Sequence, residues 1–208
     1  DAGGGLESRA AAHRLDARGL ALCPGFIDAH SHDDLMLEGQ VGELSRLSQG
    51  ITTELAGQCG LSLYPTAPGR QDAARRVLSV GRTWLPELDA FDRYENYRDY
   101  LKKRGLAVNL AQFVGHGALR LAVMGEDDRA PSPEEMSRMQ ALLRRAMEQG
   151  ALGLSSGLIY SPGVFARREE LIELCRVIAP FGGVYTTHMR DEADFVLEAL
   201  DEAIGIAR

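Results

Sequence analysis

The feature that most constrains the fold of this chain is the alternation of short apolar runs with longer amphipathic segments. From Phe26 onward we count five strand–helix units, with strands predicted at residues 26–29, 51–56, 108–114, 151–155 and 184–187. Helices are predicted at residues 42–49, from 133 to near 150, at 168–179 and from about residue 194 onward. This order predicts an α/β protein with a parallel sheet and helical crossovers.

Two kinds of parallel sheet are compatible with this order, a barrel and a doubly wound open sheet. No glycine-rich dinucleotide-binding motif follows a strand, which disfavours the open sheet. A complete eight-stranded barrel usually takes about 250 residues, and the last residues, EAIGIAR, lie inside a helical pattern. We therefore expect a partial TIM-type (β/α) barrel of about five strand–helix units, the front part of a larger protein.

Residues 24–208 are assigned to this barrel, with one interruption. The stretch from about residue 66 to residue 104 is polar, rich in arginine and aspartate, and contains five of the thirteen aromatic residues. It is predicted to be a helical insertion rather than part of the sheet. Ahead of the barrel, residues 20–22 form an apolar run followed by Pro24-Gly25, which predicts one further short strand.

Composition limits the partners of the chain. Its net charge of −7 disfavours nucleic acid and anionic membranes as partners. No run approaches the roughly 20 apolar residues of a membrane span, and no export leader opens the chain. The three cysteines form no CxxC pair and no disulfide framework, so a cytoplasmic location is the default expectation. Cys23 and Cys175 lie in apolar runs and are predicted to be buried.

The residues capable of chemistry come directly after the predicted strands. In chain order they are His30 and His32 after the first strand, Cys59 after the second, His116 after the third, Tyr160 after the fourth and His188 at the end of the fifth. The active site of a parallel barrel lies at the carboxyl ends of its strands. These side chains are therefore expected to meet at one rim of the sheet.

His30 and His32 are candidate ligands for zinc or another divalent transition metal. Residues two apart in a strand point to the same side, so both imidazoles can face one ion. Three nearby carboxylates are candidates to orient the two rings, those of Asp28, Asp33 and Asp34. Two surface histidines placed together by chance are the competing interpretation.

Cys59 is a candidate thiolate ligand, since the glycines around it let the backbone approach an ion closely. A catalytic or redox thiol and an inert cysteine in a turn are the alternatives. His188 ends an apolar run and precedes a polar segment, as expected at a barrel rim, although a buried histidine bonded to backbone fits the same pattern. His116, between two glycines, either lines the pocket or belongs to a tight turn, and is not predicted as a ligand.

Residues 153–157 (GLSSG) match the G-x-S-x-G string of a serine nucleophile elbow centred on Ser155. A serine hydrolase is disfavoured, because no partner acid–histidine arrangement is visible. A loop with Pro162-Gly163 also replaces the strand-to-helix turn that such an elbow needs. Tyr160, on that loop, is instead a candidate substrate contact.

Five segments together resemble the D-aminoacylase, or N-acyl-D-amino-acid deacylase, family of the amidohydrolase superfamily. They are PGFIDAHSH (24–32), GITTELAGQCGLSLYPT (50–66), GHGALR (115–120), GALGLSSGLIYSPG (150–163) and GGVYTTHMRDE (182–192). The resemblance extends from about residue 16 to the end and is loosest between 67 and 104. The His-x-His pair alone points only to the superfamily, whereas the Cys59 and SSGLIYSPG segments narrow the resemblance to the family.

This resemblance implies that His30, His32, Cys59 and His188 bind one or two zinc ions, with Tyr160 near the substrate. It implies hydrolysis of the amide bond of a small molecule, an N-acyl-D-amino acid. It also implies a small β-rich domain beside the barrel, of which residues 1–23 would be the end.

The family also uses a further histidine after the sixth strand and an aspartate base after the eighth. Both positions are expected beyond residue 208, so no catalytic base is assigned in this chain, and these residues alone are expected to be inactive. Another amidohydrolase, such as a cyclic amidase, is one alternative. Those enzymes commonly place a lysine near the metal, and only Lys102 and Lys103 occur here. A non-catalytic metal-binding fragment is the other alternative.

Overall fold

The computed structural model describes residues 10–36, 40–78 and 90–208 of the chain. The start of the predicted β-rich remnant, residues 1–9, and the middle of the predicted insertion, residues 79–89, lie outside the described residues. The described parts of the insertion include two helices, but the division of the chain into domains stays a prediction.

The described strands form one parallel sheet in which each strand lies beside its predecessor. They are β1 (Phe26–Asp28), β2 (Ile51–Ala56), β3 (Asn109–Gly115), β4 (Gly153–Gly157) and β5 (Val184–His188), in the spatial order β1-β2-β3-β4-β5. A doubly wound sheet reverses its strand order at a switch point, and this sheet has no such reversal. The predicted α/β partial barrel is therefore confirmed as a half-barrel of five parallel strands.

Seven α-helices between and after these strands are described. They are α1 (Gln40–Ser48), α2 (Gln71–Leu78), α3 (Tyr94–Arg104), α4 (His116–Val123), α5 (Pro133–Glu148), α6 (Arg168–Ile178) and α7 (Val196–Ala207). Of these, α1, α4 and α6 pack directly on the sheet. The predicted start of α5 is confirmed, because the helix begins at Pro133. Ser132 and Glu135 form a capping box, in which the side chain of each accepts a hydrogen bond from the backbone N–H of the other. Within the described residues, none of the helices combines the length and apolar character needed to cross a membrane.

The core lies between the central strands and the helices packed on them. Fully buried side chains come from each layer, including Val114 of β3, Leu154 of β4, Leu119 of α4, Leu143 of α5 and Leu174 of α6. The outer strand β1 is more open, with Phe26 58% and Ile27 64% exposed. This packing fixes the central strands firmly and leaves their carboxyl ends free to carry a site.

Two predictions at the local level are wrong. Residues 20–22 form no strand, and Cys23 is exposed rather than buried, since Leu20 and Leu22 are themselves 75% and 78% exposed and no described segment pairs with this run. The tight turn considered at His116 is a helix, α4, that begins directly after β3. All eight residues of α4 are buried, so the sequence carries no polar face to reveal its helical period.

Candidate metal centre

Three side chains with metal-binding atoms converge at the carboxyl ends of β1 and β2. His30 and His32 lie on the segment that follows β1, and Cys59 lies on the turn that follows β2. Their ligand atoms all lie within 4.8 Å of one another. The Sγ of Cys59 is 3.3 Å from Nε2 of His30, and the two imidazole rings are 5.4 Å apart between centroids. Adjacent parallel strands thus bring together residues that are up to 29 positions apart.

The chemistry of these three residues fits a zinc ion. Tetrahedral zinc with bonds of about 2.0–2.3 Å holds its nitrogen and sulfur ligands about 3.3–3.8 Å apart, and the Cys59–His30 separation lies at the short end of that range. The Nδ1 of His32 is buried and has no hydrogen-bond partner within the described part of the chain. Buried polar atoms without partners are uncommon in folded proteins. The arrangement is therefore better explained by a cation site than by chance proximity.

The electrostatics of the group favour a neutral His32 imidazole and a protonated Cys59 thiol. Burial lowers the pKa of His32, electrostatic effects of His30 and His188 lower it further, and only that of Asp33 opposes them. Burial also raises the pKa of the Cys59 thiol, with a smaller opposing effect from Tyr160 and an added rise from Glu192. A reactive cysteine needs a lowered pKa, so the thiol-enzyme alternative is disfavoured. A coordinating cation deprotonates a thiol outright.

The backbone at Cys59 is held in a strained conformation. With φ of 56°, Cys59 is the one non-glycine residue with positive φ among those the structure describes. This conformation costs a non-glycine residue about 1–3 kcal/mol and persists only where the surroundings enforce it. The flanking Gly57 and Gly60 have φ of 73° each. The turn therefore points the Cys59 thiol at the histidines at an energetic cost.

Ser155 of β4 holds this turn in place through hydrogen bonds to its backbone. Its hydroxyl accepts a hydrogen bond from the backbone N–H of Gly60 at 3.0 Å and donates one to the carbonyl of Gly57 at 2.5 Å. Ser155 is fully buried, and both of these partners are backbone groups. Its hydroxyl is thus engaged in holding the turn, which agrees with the rejection of a serine nucleophile.

Tyr160 lies on the loop after β4, beside the candidate site. Its hydroxyl donates to the backbone carbonyl of Cys59, and its ring packs edge-on against His188 with centroids 5.5 Å apart. A Cβ at Gly157 would overlap both the Tyr160 hydroxyl and the Cys59 carbonyl, so the close approach requires glycine there. The side chain is therefore placed at the rim, while its contact with substrate stays a prediction.

His188 ends β5 at the same rim but is not one of the three converging residues. Its side chain is 31% exposed, and its Nε2 lies 3.4 Å from a carboxylate oxygen of Glu192. An electrostatic effect of His188 nevertheless contributes to the lowered pKa of His32. His188 thus lies near the converging residues, and its role as a ligand stays a prediction.

The carboxylates next to the two histidines have other partners. Asp28 accepts from the backbone N–H of His30 at 3.1 Å, and Asp33 lies 2.5 Å from the guanidinium of Arg46. Asp34 accepts from the amide of Gln112 at 2.8 Å, and burial raises the pKa of Asp34 to about 7 although hydrogen bonds oppose the rise. These contacts hold the segment that carries the histidines, in place of the predicted contacts to their rings.

His116 belongs to a separate buried network. Its Nε2 lies 2.8 Å from Oε1 of Glu170, and Nη1 of Arg120 donates to both oxygens of the same carboxylate at 2.9 and 2.7 Å. His116 and Arg120 are fully buried on α4, and Glu170 is 4% exposed on α6. The i, i+4 spacing of His116 and Arg120 was the only sequence signal of this network, and it does not identify the partner on α6.

The chain is similar in sequence to a known protein family and to several curated proteins. The model of the amidohydrolase family matches residues 14–204. The chain is 42% identical to the D-aminoacylase of Alcaligenes xylosoxydans xylosoxydans over 205 residues, which cover 99% of this chain and 41% of that protein. The chain thus spans about two fifths of the length of the curated relatives it matches.

Solved structures agree with the sequence comparison. A crystal structure of D-aminoacylase superimposes with a TM-score of 0.85 at 39% identity, covering 98% of this chain and 42% of that one. The N-acyl-D-glutamate deacylase of Bordetella bronchiseptica, solved with zinc and a phosphonate that mimics the tetrahedral intermediate, gives a TM-score of 0.78 at 42% identity. That match covers 89% of this chain and 38% of the deacylase.

Proposed function

This chain belongs to the amidohydrolase family, and on that premise we propose that it supplies the metal-binding part of an N-acyl-D-amino-acid deacylase. The observation that carries the proposal is the convergence of His30, His32 and Cys59 within 4.8 Å. The similarity to a D-aminoacylase and to an N-acyl-D-glutamate deacylase supports the substrate class. The reaction is the hydrolysis of an amide bond to release an acid and a free D-amino acid.

The proposed cofactor is zinc, as one or two ions, held by His30, His32 and Cys59 with His188 as a further ligand. Support comes from the soft and borderline donor set, which suits zinc, and from the zinc in the structure of the N-acyl-D-glutamate deacylase. When bound, zinc lowers the pKa of water to about 7 and polarises a carbonyl oxygen. The side chains of this chain would fix where that chemistry takes place.

Tyr160 is proposed to contact the substrate at the rim of the site. Its ring lies against His188 and its hydroxyl is tied to the Cys59 carbonyl, so the side chain has a defined position beside the ligands. None of the three aspartates next to the histidines is proposed as the general base. Asp28, Asp33 and Asp34 are engaged with a backbone N–H, Arg46 and Gln112.

The cyclic-amidase alternative finds no support in the positions of the lysines. Lys102 and Lys103 are exposed in the last turn of α3, which leads into the amino end of β3. The histidines lie at the opposite, carboxyl ends of the strands. Neither lysine is therefore placed to act beside the ion.

The activity is tested on the complete gene product that contains these residues. After loading with zinc, we expect it to hydrolyse N-acetyl-D-amino acids in preference to their L-enantiomers, and to lose this activity on chelation. Tyr160→Phe is expected to lower kcat/KM without loss of bound zinc. Hydrolysis of cyclic amides but not of N-acetyl-D-amino acids would favour the cyclic-amidase alternative, and no hydrolysis of either by the zinc-loaded protein would contradict the proposal.

A further inference from the structure

Gln58 is a buried amide in the turn that carries Cys59, and it is not one of the proposed metal ligands. Its side chain is 1% exposed. Burying an amide costs free energy unless its donor and acceptor both find partners. At this position the partners lie on β2, on β5 and directly after β1.

Both ends of the Gln58 amide are hydrogen-bonded. The Nε2 donates to the carbonyl of Ala29 at 3.1 Å and more weakly to that of Leu55 at 3.5 Å. The Oε1 accepts from the hydroxyl of Thr186 at 2.9 Å. Because carbonyl oxygens only accept hydrogen bonds, the NH₂ group must face Ala29 and Leu55, and the oxygen is left to face Thr186.

These partners lie next to the proposed metal ligands on the two outer strands of the described sheet. Ala29 directly precedes His30, after β1. Thr186 is on β5, two positions before His188, and residues two apart in a strand share a face. β1 and β5 are not neighbours in the sheet, since β2, β3 and β4 lie between them. One amide thus connects three strands, each of which carries a proposed ligand.

The contacts around the turn agree with a positioning role. The backbone N–H of Ser31, between the two histidines, donates to the carbonyl of Leu55 at 3.0 Å, and Gln58 reaches the same carbonyl. The backbone of Cys59 is held at positive φ, a conformation that persists only where several contacts enforce it. The Gln58 amide bridges the histidine segment and β5, while Ser155 holds the turn to β4.

We propose that Gln58 is a positioning residue that sets the distances between the ligands of the metal centre by linking the end of β1 to β5. This inference rests on the proposed metal function. Groups that hold metal ligands in position by hydrogen bonds typically contribute about 10–100-fold to metal affinity. Loss of the Gln58 amide should therefore weaken metal binding in that range, with the three ligands themselves unchanged.

The test measures metal affinity and stability separately, in the complete gene product that contains these residues. Gln58→Leu removes all three hydrogen bonds at similar volume, and Thr186→Val removes only the bond to Oε1. We expect Gln58→Leu to bind Zn²⁺ and Co²⁺ about 10–100-fold more weakly, with a changed visible spectrum of bound Co²⁺. Thr186→Val is expected to show a smaller loss of affinity, and Thr186→Ser, which keeps the hydroxyl, is expected to retain it.

Tyr64→Phe is the matched control for the loss of a buried hydrogen bond. The Tyr64 hydroxyl donates to the carbonyl of Leu142 at 2.9 Å, and the side chain is 1% exposed. This control should lower the urea midpoint of unfolding and leave the metal Kd unchanged. If Gln58→Leu does not fold, Thr186→Val decides the question in its place.

The outcomes separate the two proposals. Wild-type affinity in both Gln58→Leu and Thr186→Val would overturn the positioning role and leave the metal function standing. An equal loss of affinity in Tyr64→Phe would also overturn it, since the effect would then follow from stability alone. A wild-type protein that binds neither ion would overturn the proposed function and this inference with it.

Discussion

Replacing Glu170 by glutamine is expected to destabilise the fold strongly, because it breaks a buried network of charges. Arg120 is fully buried, and its Nη1 donates hydrogen bonds to both carboxylate oxygens of Glu170, at 2.9 and 2.7 Å. The other terminal nitrogen of Arg120, Nη2, donates to the carbonyls of Asp127 and Arg129, so the guanidinium cannot turn towards solvent. Removal of one partner of such a pair leaves an uncompensated buried charge and costs about 3–5 kcal/mol.

The matched control is Glu173→Gln on the same helix. Glu173 pairs with Arg176, but the two side chains are 43% and 70% exposed. An exposed pair contributes about 0–1 kcal/mol. Urea unfolding at neutral pH should therefore show a large loss of the free energy of unfolding for Glu170→Gln and almost none for Glu173→Gln. A double variant Arg120→Met/Glu170→Gln should lose less than the sum of its two single changes, because the charge that was left unpaired is gone.

The pH dependence gives an independent check on the same network. Burial alone would raise the pKa of Glu170, but the hydrogen bond from His116 and the charges of His116 and Arg120 outweigh burial and lower that pKa below its usual 4.5. A carboxyl whose pKa is lowered by folding contributes stability that is complete above the pKa of the unfolded chain. That contribution is lost as the pH falls through the lower pKa of the folded protein.

The stability difference between wild type and Glu170→Gln should therefore shrink as the pH falls below about 4.5. The reasoning would be refuted by a Glu170→Gln variant that loses no more stability than Glu173→Gln. It would equally be refuted by a stability difference that grows as the pH falls below about 4.5.

Two further changes test the packing of the turn that carries Cys59. Gly157→Ala is expected to lower both the Tm and the zinc content, because the added Cβ overlaps the Tyr160 hydroxyl and the Cys59 carbonyl, and unchanged zinc content in a folded variant would contradict this. Ser155→Ala removes a hydroxyl that is bonded on both sides and should cost about 1–3 kcal/mol in urea unfolding. In the complete gene product that contains these residues, the folded fraction of this variant should still hydrolyse substrate, whereas complete loss of activity with zinc bound would support a serine nucleophile.

The order of strands was predictable because each strand is a short apolar run with a clear end. The strand predicted at residues 51–56 is observed at the same residues, bounded by Gly50 and Gly57. The meeting of His30, His32 and Cys59 was predictable for the same reason, since the carboxyl ends of neighbouring parallel strands share one edge. Helix α4 was not predictable from periodicity, because it is buried on every side.

The polar contacts that support the site could not be read from the sequence. Gln58 and Thr186 are 128 positions apart, and His116 and Glu170 are 54 apart. Neither pair has a local pattern, because each depends on how distant strands and helices pack. The sequence predicts which residues bind an ion, whereas the fold is needed to identify the residues that hold those side chains in place.

The most direct test of the account is the zinc content and zinc affinity of the wild-type protein beside two cysteine variants. Cys59→Ala removes one of the three proposed ligands, whereas Cys175→Ala removes a partly buried cysteine of α6. The account predicts at least one tightly bound zinc per chain in the wild type and in Cys175→Ala, and a loss of that zinc in Cys59→Ala. Equal zinc binding by Cys59→Ala and the wild type would contradict it.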